Sequence, residues 1–211
     1  MTPNAKQVLI VLGTCAATLV TLLAIAASAP SAALNALSSI NTRRIEAGMR
    51  YGPLPRHQLD LYAPSSAAPA RGFPLVVFFY GGSWNRGERA DYRFVGEALA
   101  SRGVIALLAD YRLYPEVRYP DFLSDCALAL AYGLREAARL GGDPQRVFVM
   151  GHSAGAYNAA MLALDAKRLA PTGHSPNELA GWIGLAGPYD FLPMKNPDAR
   201  PVFFPPNYPP G

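Results

Sequence analysis

The pentapeptide Gly151-His152-Ser153-Ala154-Gly155 constrains this chain more than any other stretch. An apolar run, Val147-Phe148-Val149-Met150, leads into it, and small residues beginning Ala154-Gly155-Ala156 lead out. A buried strand, a sharp turn and a helix are the setting in which a G-x-S-x-G serine is lifted above the end of a sheet. The glycines have a mechanical reason: the serine takes a positive φ, and the residues two positions either side must not crowd the turn. The pattern predicts nucleophilic acyl transfer, with the Ser153 Oγ as the reactive atom. The plain alternative is an ordinary strand-to-helix turn carrying a surface serine.

Composition narrows the class. A chain of 211 residues suits one domain with an appendage, and 51% hydrophobic against 16% charged residues excludes a disordered chain. The net charge of +4 comes from basic residues spread from Lys6 to Arg200, with Arg43-Arg44 the tightest pair. A nucleic-acid footprint needs its basic residues gathered on one face, so nucleic acid is not an expected partner. No residue cluster has metal-ligand spacing, and neither a metal nor a cofactor is expected. Cys126 sits in a helical pattern and reads as a small core residue, while Cys15 lies in an apolar stretch, so no disulfide between them is expected.

That stretch, residues 8–27, carries no charge and follows a short start containing Lys6. It reads as a signal peptide or as a transmembrane anchor, being about the 20 residues that span a bilayer. A buried helix of a soluble domain is the lesser alternative, because nothing polar gives the run an outer face. Residues 1–30 are therefore assigned to export or anchoring, and the protein is expected to be membrane-anchored, periplasmic or secreted. Residues 31–44 form a linker, 45–192 the folded domain and 193–211 a proline-rich irregular tail.

Within the domain, short strands alternate with helices. Gln58-Leu59-Asp60-Leu61-Tyr62 alternates as a half-buried strand, and residues 75–80 and 104–109 are continuous apolar runs suited to central strands. Residues 91–102 form a helix with Phe94, Val95, Ala98 and Leu99 on its apolar stripe. Residues 122–140 form the clearest helix, with Leu123, Ala127, Leu130, Leu134 and Ala137 on one stripe and Asp125, Arg135, Glu136 and Arg139 off it. A helix over 154–169 and a last strand at 182–185 follow. Right-handed crossovers of this kind give a parallel sheet whose strands end on one edge. Four loops converge there: 81–84, 110–112, the elbow at Ser153, and 187–190.

The loop Tyr80-Gly81-Gly82-Ser83-Trp84, directly after a buried strand, supplies small residues whose backbone N–H groups can point at one spot. Acyl transfer needs such donors for the oxyanion, and the N–H of Ala154 should join them.

The order Leu59-Asp60-Leu61-Tyr62, Tyr80-Gly81-Gly82-Ser83-Trp84, Asp110-Tyr111-Arg112-Leu113 and Gly151-His152-Ser153-Ala154-Gly155 resembles the α/β-hydrolase fold. More narrowly, it is similar to the bacterial carboxylesterase branch that includes hormone-sensitive-lipase-like and kynurenine-formamidase-like enzymes. The resemblance covers residues 45–192. It implies a three-layer, mostly parallel sheet, Ser153 as nucleophile, and the N–H groups of Gly82, Ser83 and Ala154 as oxyanion hole. It also implies a small-molecule ester substrate.

Two departures stand out. Tyr80 replaces the histidine that commonly opens the glycine motif and usually supports its loop. In the family the acid and histidine follow strands that would lie beyond Gly211, so the sheet is expected to lack its last strands. His57 precedes the first family strand, His152 points away from the serine, and His174 belongs to the opposite edge of the sheet. Asp190 is placed at the active edge as a candidate acid. A serine without its histidine is a poor nucleophile. The chain is thus expected to be a weakly active or inactive, C-terminally incomplete esterase. The alternative is a non-catalytic, membrane-tethered binding domain of the same fold.

Overall fold

A computed structural model describes residues 34–36, 43–191 and 193–203. The stretch at 8–27, Cys15 and residues 204–211 lie outside the described residues. Among the described residues no helix is long and apolar enough to cross a membrane.

Among the described residues six strands form one sheet in the order β1-β2-β4-β3-β5-β6. They are β1 Arg43–Arg50, β2 Gln58–Pro64, β3 Phe73–Phe79, β4 Ile105–Ala109, β5 Gly142–His152 and β6 Gly181–Leu185. β4, β3, β5 and β6 are mutually parallel, whereas β1 and β2 run antiparallel at one side. β3 and β4 are almost fully buried, as their unbroken apolar sequences demand when both faces are covered.

Among the described residues four α-helices pack on the sheet: α1 Arg93–Ala100, α2 Asp121–Glu136, α3 Ala154–Leu164 and the short α4 Ala166–Leu169. Gly96 of α1 abuts the Tyr62 ring, while Gly133 of α2 abuts Val77. Tyr62 pairs with Ala106 and Val77 with Leu107, neighbouring residues of β4 that face opposite ways. The two helices therefore cover opposite faces, giving three layers around a mostly parallel sheet. This is an α/β-hydrolase sheet, and no strand follows β6 among the described residues.

Several local expectations are corrected. β2 is buried on both faces, because Asp60 bonds the Gly48 N–H and the Arg89 guanidinium while α1 covers Tyr62. In α1 the buried positions are Gly96, Glu97 and Ala100, and Ala98 is exposed. Close approach to the Tyr62 ring selected a glycine, while Val95 and Leu99 of the expected stripe pack on the core only partly buried. Asp125, expected off the stripe of α2, is buried. The helix expected over 154–169 breaks at Asp165, whose backbone is extended and whose side chain accepts from the Lys167 N–H to start α4.

At the chain's margins, β1 begins at Arg43, inside the stretch assigned to a linker. Residues 193–203 carry no strand but pack on the domain, burying Met194, Ala199, Val202 and Phe203. Cys126 is buried and free.

Candidate active site

The loops after β3, β4, β5 and β6 gather at one end of the sheet because these strands are parallel. Ser153 stands at the tip of the third. Its backbone has φ 52° and ψ −119°, a region costing a non-glycine residue about 1–3 kcal/mol. The turn is held from three sides. The Ser153 N–H donates to the Leu185 carbonyl at 2.8 Å, and its own carbonyl accepts from Ala156 and Tyr157 at 3.0 and 3.2 Å, starting α3. A Cβ at Gly151 would strike the Gly155 carbonyl, and one at Gly155 would strike the Phe79 carbonyl. Only glycines allow helix, elbow and β3 to come this close.

Ser153 opens into a cavity of about 490 Å³ that it shares with Ser83, Ala154, Asp190, Met194 and Asn196, among others. Ala154 is the first residue of α3, a position whose N–H has no partner within the helix. Ser83 and Trp84 both have positive φ, 51° and 58°, so this loop is held in a conformation that L-residues avoid. The Gly82 carbonyl accepts from the Asn85 and Arg86 N–H groups, both at 3.1 Å, closing the turn. Gly82 itself lines a neighbouring cavity of about 600 Å³, with His152 and Leu185. The structure thus brings Ser153, Ser83, Ala154 and Asp190 to one cavity and places Gly82 on the neighbouring one.

Tyr80 does the supporting work expected of the family histidine. Its ring stacks on Tyr111 at 4.6 Å, the Tyr111 hydroxyl donates to the Tyr80 carbonyl at 2.8 Å, and the Arg56 guanidinium donates to the Tyr80 hydroxyl at 2.8 Å. Burial pushes the pKa of both phenols up, so they stay neutral hydrogen-bonding groups. Beneath them Arg89 binds both Asp60 and Asp110. The acidic residues of the two shorter motifs therefore share one cation and tie β2 to the loop after β4.

Each of the three histidines is engaged elsewhere. His57 Nε2 pairs with Asp125 inside the domain. His152 Nδ1 meets the Tyr92 hydroxyl at 2.8 Å, and that hydroxyl also accepts from the Gly81 N–H at 3.3 Å. Burial lowers the basicity of the His152 ring, keeping it neutral. His174 Nδ1 lies 2.9 Å from Glu178, in the approach to β6 at the far end of the sheet. The Glu178 carboxyl is held below its usual range by that histidine first and by the Ser175 N–H second. No described histidine lines the Ser153 cavity. Asp190 is exposed there. Among the described residues no group of histidine, cysteine and carboxylate side chains could hold a metal ion.

Two contributors were not anticipated. Residues 193–203 form an outer wall: Asn196 Nδ2 lies 3.4 Å from the Ser83 hydroxyl, and Arg86 bonds Asp198 at 3.0 Å. Asn158 accepts from the Trp84 indole at 2.8 Å beneath the loop. A lone amide in the apolar run of α3 was the available signal for Asn158. The prolines of 193–203 hid its packing.

The BD-FAE family pattern matches residues 59–202. Isoprenylcysteine alpha-carbonyl methylesterase ICME of Arabidopsis thaliana is 32% identical over 163 residues, covering 75% of this chain and 38% of that protein. Esterase LipC of Mycobacterium tuberculosis is 32% identical over 161 residues, covering 73% and 40%. The crystal structure of esterase B from Lactobacillus rhamnosis superposes with a TM-score of 0.60 at 27% identity, covering 75% of this chain and 53% of the other. The chain spans well under half the length of these curated relatives. With the family match covering residues 59–202 and the fold shared with the esterase structure, the chain belongs to the BD-FAE family and has the α/β-hydrolase fold of the carboxylesterases it resembles.

Proposed function

We propose that the protein is a carboxylic-ester hydrolase in which Ser153 Oγ attacks the ester carbonyl and the N–H groups of Ser83 and Ala154, with Gly82, receive the oxyanion. The strained elbow carries this reading: a serine held at φ 52° between two space-limited glycines, at the mouth of a cavity shared with the glycine loop. Acylation breaks the ester C–O bond and releases the alcohol, and water then cleaves the acyl-serine. Esterase names among its relatives support a small-molecule ester substrate.

A base must take the Ser153 proton, and His57, His152 and His174 are all occupied elsewhere. The 211-residue chain is therefore proposed to be weakly active or inactive, retaining at most the roughly thousandfold acceleration that binding and an oxyanion hole give without a full triad. Asp190 is the proposed acid once a histidine is supplied by a longer form. Sequencing past codon 211 in all frames tests that supply: a strand pattern carrying Asp and then Gly-His supports it, and its absence counts against it.

The test of chemistry is fluorophosphonate labelling of purified protein. An adduct on Ser153, missing in Ser153→Ala, supports the hydrolase. No adduct and no turnover of short aryl esters would sink activity for this chain. That outcome favours the second reading, a binding domain tethered through residues 8–27, which the occupied histidines make specific. The same segment is proposed to direct export or anchoring. Fractionation checks this: protein found only in the cytoplasmic fraction contradicts it.

A further inference from the structure

We propose that Asn158 is a positioning residue of this site, fixing the loop of Ser83 relative to the helix that begins beside Ser153. The proposal rests on the acyl-transfer reading of the cavity. Asn158 lies on α3 with no exposed surface, among alanine, glycine and leucine. A buried amide is tolerated only when bonded, and this one bonds in both directions. Its Oδ1 accepts from Trp84 Nε1 at 2.8 Å, and its Nδ2 donates to the Cys126 sulfur at 3.5 Å. The orientation is forced, because an indole N–H only donates and the amide oxygen must therefore face it. Burial pushes the Cys126 thiol well up, so the network stays uncharged.

The Trp84–Asn158 bond joins residues 74 apart in sequence. One side carries Ser83 and Trp84 in left-handed conformations, and the other is the helix that begins at Ala154, with Ser153 as its N-cap. Aromatic contacts with Phe203, Tyr157 and Phe122 bury the indole, with centroids at 4.9, 5.5 and 6.0 Å. Such packing resists withdrawal of the ring more than its rotation. The directional bond to Asn158 sets the rotation, and with it the spacing between the two halves of the oxyanion site.

Hydrogen exchange read by mass spectrometry on the full chain tests this. In Asn158→Leu, amides of residues 81–86 should exchange about tenfold faster, the change expected from losing one buried hydrogen bond. Those of β4 should change by less than about twofold, since the sheet core opens only globally. Trp84→Phe, which keeps a ring and removes the donor, should reproduce the effect, and the double variant should add nothing. Fluorophosphonate labelling of Ser153 should slow about tenfold in each single variant. Unchanged exchange at 81–86, an equal rise in β4, or additive effects would each overturn the proposal. Faster exchange with unslowed labelling would also overturn it. Absent labelling of the unmodified chain counts against acyl transfer, while the exchange comparison still decides whether Asn158 sets the loop.

Discussion

His57 Nε2 and Asp125 Oδ1 lie 3.1 Å apart with both side chains buried, and neither lines the Ser153 cavity. A histidine–carboxylate pair in an α/β-hydrolase fold invites assignment to catalysis, yet this one is architectural. Asp125 also takes the Arg112 guanidinium through Nε and Nη2, at 2.9 and 2.7 Å, and the Arg112 N–H at 2.9 Å. It thereby joins α2, the entry to β2 and the loop after β4. Removing one partner leaves buried charge uncompensated, so Asp125→Ala should cost about 3–5 kcal/mol. The urea midpoint should fall by more than about 1 M. A midpoint within error of the unmodified chain would contradict the architectural role.

Ser153 pays a conformational penalty that glycine avoids. Ser153→Gly should abolish fluorophosphonate labelling and stabilise the fold by about 1 kcal/mol, the strain relieved less the extra freedom of glycine in the unfolded chain. A rise in melting temperature of about 2–4 °C follows for a domain this size. A fall would show that the elbow is not strained.

At Gly155 the reverse holds. Its added methyl would meet the carbonyls of Phe79 and Tyr80, which are backbone and cannot swing aside. Gly155→Ala should destabilise by about 3 kcal/mol or more, measurable as a lowered denaturant midpoint.

His152 gives a pH signature. Burial lowers its pKa in the folded state below the unfolded value of 6.5. The unfolded chain then binds the extra proton first. Stability is complete above pH 6.5 and is lost as pH falls toward and through the lowered value. Between pH 7 and 5 the unmodified chain should lose stability more steeply than His152→Gln does, as read by denaturant midpoints. Parallel slopes would exclude His152 as the source.

Among the described residues β6 is an edge strand, with Trp182, Ile183 and Leu185 exposed at 37%, 41% and 42%. Unpaired edges with apolar side chains promote association. Ile183→Lys should raise the concentration at which light scattering detects self-association, with the melting temperature altered by no more than about 1–2 °C, as for most surface changes. Unchanged scattering would locate association elsewhere.

The elbow, the glycine loop and the parallel strands were legible in the sequence because each is encoded locally, by apolar runs, glycines and a serine at fixed spacing. The misreadings share a different cause. Asp125 looked solvent-facing because charge alone hides a partner as remote in sequence as His57. The inner face of α1 was missed because its contact with Tyr62 requires a glycine, which leaves no apolar mark. The break at Asp165 depends on one side chain bonding the backbone two residues on. Packing of 193–203 on Trp84 and Ser83 is tertiary throughout, and proline content speaks only to the absence of a strand.

The antiparallel setting of β2 has a further consequence. Because β2 runs against β4, its beginning and not its end lies beside the mouths of the parallel strands. The turn at 51–57 therefore arrives as a fifth loop, with Arg56 reaching Tyr80, Gly87 and Tyr111. A change at Arg56 would therefore loosen the support of the glycine loop from outside the parallel strands, without disturbing a single crossover.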